Sequence, residues 1–286
     1  MRFTEDFKDY ELIDANNGQR LERWGNITLI RPDPQAMWNL PYDKKLWGCA
    51  DAIYHRSNSG GGSWEVLKKV PQVWSIGYKG LKFNLKPMGF KHTGLFPEQA
   101  VNWDFMSGLI EKADRPIKVL NLFAYTGGAT LACLKAGAAV THVDASKGMV
   151  AWAKENANAS GLSDCPVRWL VDDCVKFVQR EIRRGNKYDG IVMDPPSYGR
   201  GPNGEVWKLE NNLAELLELV SQILGDNPLF FVLNSYTTGM SHTVLNFMVK
   251  EIIGRGRKGT VSTEEIGLKV TNRDLILPAG NTTVWK

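Results

Sequence analysis

The chain has 286 residues, 43% of them hydrophobic and 23% charged, enough for one large domain or for a domain of about 200 residues with a smaller neighbour. The net charge of +4 permits a polyanionic partner without requiring one. The four cysteines, Cys49, Cys133, Cys165 and Cys174, show no C-x-x-C pairing and no histidine at ligand spacing, which argues against a disulfide framework, structural zinc or any other metal site. No apolar run approaches the 18 residues of a membrane span, and the amino terminus carries acids where a signal peptide would be apolar, so the expectation is a soluble cytoplasmic protein without membrane contact.

Residues 1–91 are short apolar pieces divided by turn residues. Segments 10–13, 20–24, 27–31, 52–56, 64–67, 73–78 and 81–85 read as strands, with turns at Asn16-Asn17-Gly18, Gly25-Asn26 and Lys79-Gly80. The pattern predicts a small antiparallel sheet or partial barrel. Trp24, Trp38, Trp47, Trp64 and Trp74 alternate here with Arg20, Arg23, Arg31, Lys44, Lys45, Arg56, Lys68, Lys69, Lys79 and Lys82. Such interleaving suits stacking on bases and contact with phosphates, and equally suits tryptophans filling a small core inside a shell of solvated cations. The run SNSGGGS at 57–63 reads as a flexible loop near the substrate.

A junction, Thr93-Gly94-Leu95-Phe96-Pro97-Glu98-Gln99, leads into a helix expected over 97–111. From Ile117 the period changes. A buried strand at 119–123 breaks at Tyr125-Thr126-Gly127-Gly128, a helix follows over 129–135, and a second strand at 138–143 ends on Asp144. Strand, glycine turn, helix, strand and terminal carboxylate form a βαβ unit of nucleotide-binding type, whose acid can accept hydrogen bonds from ribose hydroxyls. Paired glycines would permit unusual backbone angles and close approach of a ligand. Helices at 146–160, 173–184, 209–224 and 241–253 alternate with strands at 167–171, 188–193 and 229–234, and a strand pair at 259–266 and 282–285 closes the chain. The predicted fold is α/β: a Rossmann-like, doubly wound, mostly parallel seven-stranded sheet over residues 92–286, preceded by a β-rich domain over 1–91 that would recognise substrate.

Ligands of doubly wound sheets lie at the carboxyl ends of strands. The glycine turn, Asp144, Asp172-Asp173 and Asp194 stand at four such ends in succession. An adenosine across them would place its ribose at Asp144 and its adenine near Asp173, although Asp173 also suits the cap of the helix it opens. Asp194 begins Asp194-Pro195-Pro196-Ser197-Tyr198, where two prolines fix the main chain and suit it to gripping a planar substrate. Beyond it, residues 199–204 and Trp207-Lys208 read as a lid carrying a phosphate-capable Arg200.

These residues resemble the class I S-adenosylmethionine-dependent methyltransferases, and within them the large-subunit ribosomal RNA methyltransferases of the cytosine-C5 and guanine-N7 type. The resemblance rests on Asn121-Leu122-Phe123-Ala124-Tyr125-Thr126-Gly127-Gly128, Val143-Asp144-Ala145-Ser146, Asp173 and Asp194-Pro195-Pro196, with the Thr93 to Gln99 segment similar to a lead-in that touches the methionine end of the cofactor. It implies S-adenosyl-L-methionine as cofactor and RNA, ribosomal above all, as substrate and partner. It also implies that Phe96, Gln99, Asn121, Phe123, Ala124, Thr126, Gly127 and Gly128 surround the methionine side, Asp144, Ala145 and Ser146 the ribose, and Asp173 the adenine. Asp194, Pro195, Pro196 and Ser197 would face the methyl group and target base.

One departure bears on mechanism. Cytosine-C5 enzymes of this kind use a cysteine nucleophile after the fifth strand, where this chain has Ser235-Tyr236. The expectation is direct transfer to an atom that already has a lone pair, such as a ring nitrogen. Methylation of a protein or small molecule, a nicotinamide-dependent oxidoreductase, and a non-catalytic RNA-binding module are the alternatives; the oxidoreductase would want a full G-x-G-x-x-G, which is absent.

Overall fold

Left-handed residue pairs set the first hairpins. Asn17 and Gly18 have φ of 49° and 71°, and Lys79 and Gly80 have 45° and 82°, the paired positive angles that match the twist of two-residue hairpins. The computed structural model describes residues 1–57, 61–200, 206–236 and 239–286. Residues 58–60 of the expected 57–63 loop and 201–204 of the 199–204 lid, together with Thr237, lie outside the described residues.

Two compact units emerge. One holds Arg2–Val101 and Gly267–Ala279; the other holds Met1, Asn102–Ile266 and Gly280–Lys286. A boundary at residue 91 therefore falls ten residues before this one and assigns 267–279 to the other unit.

In the amino-terminal unit β1 (Tyr10–Asn16), β2 (Gln19–Trp24) and β3 (Ile27–Pro32) pair antiparallel. A short helix α1 (Lys44–Trp47) then carries the chain across, so β4 (Ala52–Arg56) lies parallel to β3 before turning back into β5 (Gly62–Val66). The sheet is therefore mixed, where alternation of short strands had predicted an antiparallel one. β6 (Trp74–Tyr78) and β7 (Leu81–Leu85) form a separate hairpin.

Buried charge organises this unit. Glu22 is wholly buried and accepts from Arg31 Nε at 2.6 Å, from Arg31 Nη2 at 2.8 Å and from Tyr10 Oη at 2.7 Å. Arg20 joins Asp33 at 3.3 Å, and Arg31 lies 5.0 Å over the Trp24 ring. Arg20 and Arg31 are thus internal, and the tryptophans are scaffold. The indole nitrogens of Trp38, Trp47, Trp64 and Trp74 donate to Ala15 O, Asp14 Oδ2, Met88 O and Trp24 O, and Trp24 is fully buried.

The expected helix over 97–111 divides into a 3-10 turn, Pro97–Gln99, and α2 (Ala100–Glu111). Beyond it β8 (Lys118–Leu122), α3 (Gly128–Lys135), β9 (Ala139–Asp144), α4 (Lys147–Ala159), β10 (Val167–Val171), α5 (Cys174–Arg184) and β11 (Gly190–Met193) alternate as expected. A ribbon of β12 (Tyr198–Arg200) and β13 (Val206–Lys208) precedes α6 (Leu209–Ser221), β14 (Phe230–Ser235), α7 (His242–Ile252), β15 (Val261–Val270) and β16 (Leu275–Trp285). The strand order is β10-β9-β8-β11-β14-β16-β15, with β8 to β11 and β14 parallel and β16 antiparallel to β14. Leu120, Ile191, Phe231, Leu217 and Val249 are among the residues of its core. β16 is far longer than the strand expected over 282–285, β15 runs beyond the end expected at 266, and both contribute residues to each unit.

Burial alone would raise the Glu22 carboxyl; Arg20 and Arg31 outweigh it and hold it at about 2, down from 4.5. Because the folded value lies below the unfolded one, this contribution is full above about pH 4.5 and is lost as pH falls toward 2. Glu22→Gln leaves the buried Arg31 without its carboxylate and Arg20 with Asp33 alone, and should cost about 3–5 kcal/mol in urea unfolding at pH 7, with the gap to wild type narrowing below pH 4.5. An unchanged gap at pH 3 would contradict the assignment.

Candidate active site

Parallel pairing brings four strand ends together. Leu122 of β8 lies beside Val143 of β9 and Met193 of β11, and Asp144 beside Val171 of β10. The glycine turn, Asp144, Asp172-Asp173 and Asp194 therefore share one edge of the sheet.

The turn after β8 is strained. Phe123 and Tyr125 adopt left-handed φ of 56° and 50°, and Gly127 has φ of 90°. Such conformations cost roughly 1–3 kcal/mol each in a residue with a side chain and persist only where the surroundings over-determine them. Here several bonds do so. Asp144 Oδ2 accepts from Tyr125 N and its Oδ1 from Ser146 N, both at 2.8 Å. Asn156 Nδ2 of α4 donates to Thr126 O at 2.9 Å, and Ala124 N donates to Val143 O at 3.1 Å. Phe123 N donates to Cys174 Sγ at 3.3 Å. Burial raises the Asp144 carboxyl above its usual range, against the pull of the Ser146 and Tyr125 amides.

The glycines answer to packing from behind. A Cβ on Gly127 would stand 3.0 Å from Ala153 Cβ, and one on Gly128 would stand 2.6 Å from Trp103 Cζ2. Gly127 also caps α3 without a side chain, leaving first-turn amides uncapped by one. Below the turn Asn121 Nδ2 donates to Thr130 Oγ1 at 2.9 Å, and Thr130 lies 2.9 Å from His142 Nδ1. Burial lowers His142 to about 3, so the ring is neutral and completes an uncharged chain of hydrogen bonds.

Ser146 caps α4 and Ala145 is exposed beside it. Asp173 caps α5 through Lys176 N at 2.8 Å, and Asp172 pairs with Arg180. A cavity of about 430 Å³ opens at Asp173, with Val175, Trp207, Leu216 and Leu219 in its walls. A larger one, about 660 Å³, lies at the opposite ends of the strands against Lys118, Thr141 and Arg168. Phe96 and Gln99 belong to the other unit, Phe96 heading the 3-10 turn and Gln99 buried within it.

After β11, Asp194 is half-buried and Pro195 buried, while Pro196 O accepts from Trp207 Nε1 at 2.7 Å. The Pro196 carbonyl is thus held by the β12–β13 ribbon, and the Trp207 ring lies 6.0 Å from that of Phe123. Ser197 O accepts from Leu209 N at 3.1 Å. At the end of β14, Asn234 Oδ1 accepts from Asn102 Nδ2 at 3.0 Å, and Tyr236 packs so closely on Gly280 that a Cβ there would meet its ring at 2.9 Å.

Cys174 is the cysteine that touches the turn. Burial pushes its thiol far above the ordinary range, and burial pushes Cys133 up to about 12. His242 Nε2 meets Asn281 Oδ1 at 2.5 Å, and His55 Nε2 meets Glu65 Oε2 at 2.7 Å. Asn156, Cys174 and Trp103 were not anticipated as site residues. The one available signal was Asn156, a polar residue on the helix face that buries Val150, Ala153 and Ala157.

The sequence pattern of the family described as S-adenosylmethionine-dependent methyltransferase matches residues 49–243. The chain belongs to the S-adenosylmethionine-dependent methyltransferases. The SAM-dependent methyltransferase from Agrobacterium tumefaciens is 38% identical, and its crystal structure superposes with a TM-score of 0.92 over 99% of this chain and 92% of its own. A methyltransferase structure complexed with SAH, 18% identical, matches this one in fold with a TM-score of 0.77 over 99% of this chain and 76% of its own. Two proteins named ribosomal RNA large subunit methyltransferase K/L share sequence with it: that of Shewanella frigidimarina is 33% identical over 150 residues, and that of Pseudoalteromonas atlantica 31% over 160. These matches span 52% and 55% of this methyltransferase but only 20% and 22% of the relatives. The cofactor of the methyltransferase is S-adenosylmethionine.

Gly128→Ala drives a methyl group into Trp103 and should lower stability by about 1–3 kcal/mol in thermal or urea unfolding. Unaltered stability would mean that Trp103 moves aside and the glycine is not required by packing.

Proposed function

We propose that this methyltransferase modifies a base of RNA, ribosomal RNA in the first place, by direct transfer without a covalent enzyme–base adduct, and that the β-rich amino-terminal unit helps to hold the substrate. The observation that carries the reading is the adjacency of the Asp194-Pro195-Pro196 loop to the strained turn after β8, with no reactive thiolate at either. The names of relatives that match about half of this chain support RNA as substrate, and we place its action in the cytoplasm.

The residues present suit the cofactor. Asp144 keeps acceptor capacity beyond the two amides it binds and is assigned to the ribose hydroxyls. The largely apolar cavity at Asp173 has room for a purine, and the second carboxylate oxygen of Asp173 is assigned to its amino group. The uncapped amides of α3, with Phe123, Ala124 and Thr126, are assigned to the methionine end. When bound, S-adenosylmethionine supplies an electrophilic methyl group on a sulfonium.

The chain itself contributes alignment. Pro195 and Pro196 remove backbone freedom and the Trp207 indole locks the Pro196 carbonyl, and we assign Asp194 and the Pro195 carbonyl to the base. Holding a ring nitrogen in line with the methyl group supplies catalysis by orientation and exclusion of water. A cytosine-C5 acceptor would need a thiolate to activate it. The buried thiols of Cys133 and Cys174 are protonated at neutral pH, and β14 ends in Asn234-Ser235, followed by Tyr236.

Ribosomal RNA nucleosides from cells lacking the protein should lose one methylated base in mass spectrometry; an unchanged profile would redirect the search to a protein or small molecule. RNA carrying 5-fluorocytosine should form no denaturation-resistant adduct with the enzyme, and an adduct would restore the cytosine-C5 reading.

A further inference from the structure

The amino-terminal unit has a cavity of about 300 Å³ that no assignment above uses, lined by Tyr54, Arg56, Phe90, Lys91 and His92 among others. None of the residues lining it is acidic. Segment 86–92 is fastened to the sheet at three places: Tyr54 Oη donates to Gly89 O at 3.2 Å, Trp64 Nε1 to Met88 O at 2.8 Å, and Arg31 Nη1 to Lys91 O at 3.0 Å. Phe90 is displayed from this fixed segment with 62% of its surface exposed.

The cations of the cavity differ from their neighbours. Arg20 and Arg31 are matched by Asp33 and Glu22, whereas among the described residues neither Arg56 nor Lys91 forms an ion pair with a carboxylate. Burial, and then the charge of Arg20, hold Lys91 down at about 8; Asp33 pulls the other way, and Arg31 and Arg56 add to the lowering. His92 is neutral, burial having pushed it to about 3, and its Nδ1 has no hydrogen-bond partner.

We propose that this cavity is an RNA subsite in which Arg56 and Lys91 hold a phosphodiester and Phe90 stacks on an unpaired base next to it. The proposal rests on the reading of the protein as an RNA methyltransferase and gives its amino-terminal unit a defined contact. Single-stranded RNA is the form specified, because an aromatic ring can stack only on a base that has left the helix.

The test uses the full chain and a fluorescein-labelled single-stranded RNA in an anisotropy titration across a salt series, with calorimetry of S-adenosylmethionine binding alongside. Both side chains to be removed are exposed, so the variants should fold. Arg56→Ala should weaken RNA binding about tenfold at low salt and lower the slope of log affinity against log salt by about one. Phe90→Ala should weaken binding about tenfold without changing the slope. Both should bind S-adenosylmethionine as wild type does. If wild type binds RNA and both variants bind it equally well, the subsite is wrong while the RNA reading stands. If wild type has no affinity for RNA, that reading fails and the subsite with it. If Arg56→Ala loses cofactor affinity instead, the cavity belongs to the cofactor and the proposal is overturned.

Discussion

One carboxylate holds the catalytic half of this protein in working form. Asp144, at the end of β9, takes the amide of Tyr125 on one oxygen and that of Ser146 on the other, and so fastens the turn after β8 to the start of α4. The left-handed angles of Phe123 and Tyr125 would relax in an isolated loop. They are retained because Asn156, Cys174 and the Val143 carbonyl hold the same few residues from other sides. A turn fixed this way holds Asp144 and the start of α3, the groups assigned to the cofactor, in place without reorganising, which is where orientation-based catalysis draws its advantage.

The second fixed element is the Asp194-Pro195-Pro196 loop. Its rigidity comes partly from proline and partly from Trp207, whose indole binds the Pro196 carbonyl while its ring approaches Phe123. One tryptophan thus touches both the loop assigned to the base and the turn assigned to the cofactor. Chemistry is further restricted by the state of the thiols: Cys174 lies against the turn, yet its burial and its role as acceptor for the Phe123 amide suit it to structure rather than to attack.

Much of this was legible in the sequence, because βα alternation, strand-end acids and turn pairs leave strong local signals. The run from Asn121 to Asp144 and the Asn17-Gly18 and Lys79-Gly80 turns are of that kind. Other features were not. The parallel placing of β4 beside β3 depends on α1, four residues long, and the β12–β13 ribbon has strands of three residues; neither is long enough to show a period. Gly127 has the left-handed angle that its place in the turn suggested, while the packing of Ala153 against it and of Trp103 against Gly128 involves residues distant in sequence. Arg20 and Arg31 look like solvated cations until Glu22 and Asp33 are seen against them, and Trp38, Trp47, Trp64 and Trp74 look like stacking platforms until their indole nitrogens are traced to internal acceptors.

The dependence on Asp144 can be measured directly. Isothermal calorimetry of S-adenosylmethionine should give binding to the wild-type chain that weakens by about 1–3 kcal/mol in Asp144→Ala, the cost of a lost charge-assisted acceptor together with a loosened turn. NAD should not bind to either. Equal affinity of wild type and variant for S-adenosylmethionine, with both still folded, would contradict the central place given to this carboxylate.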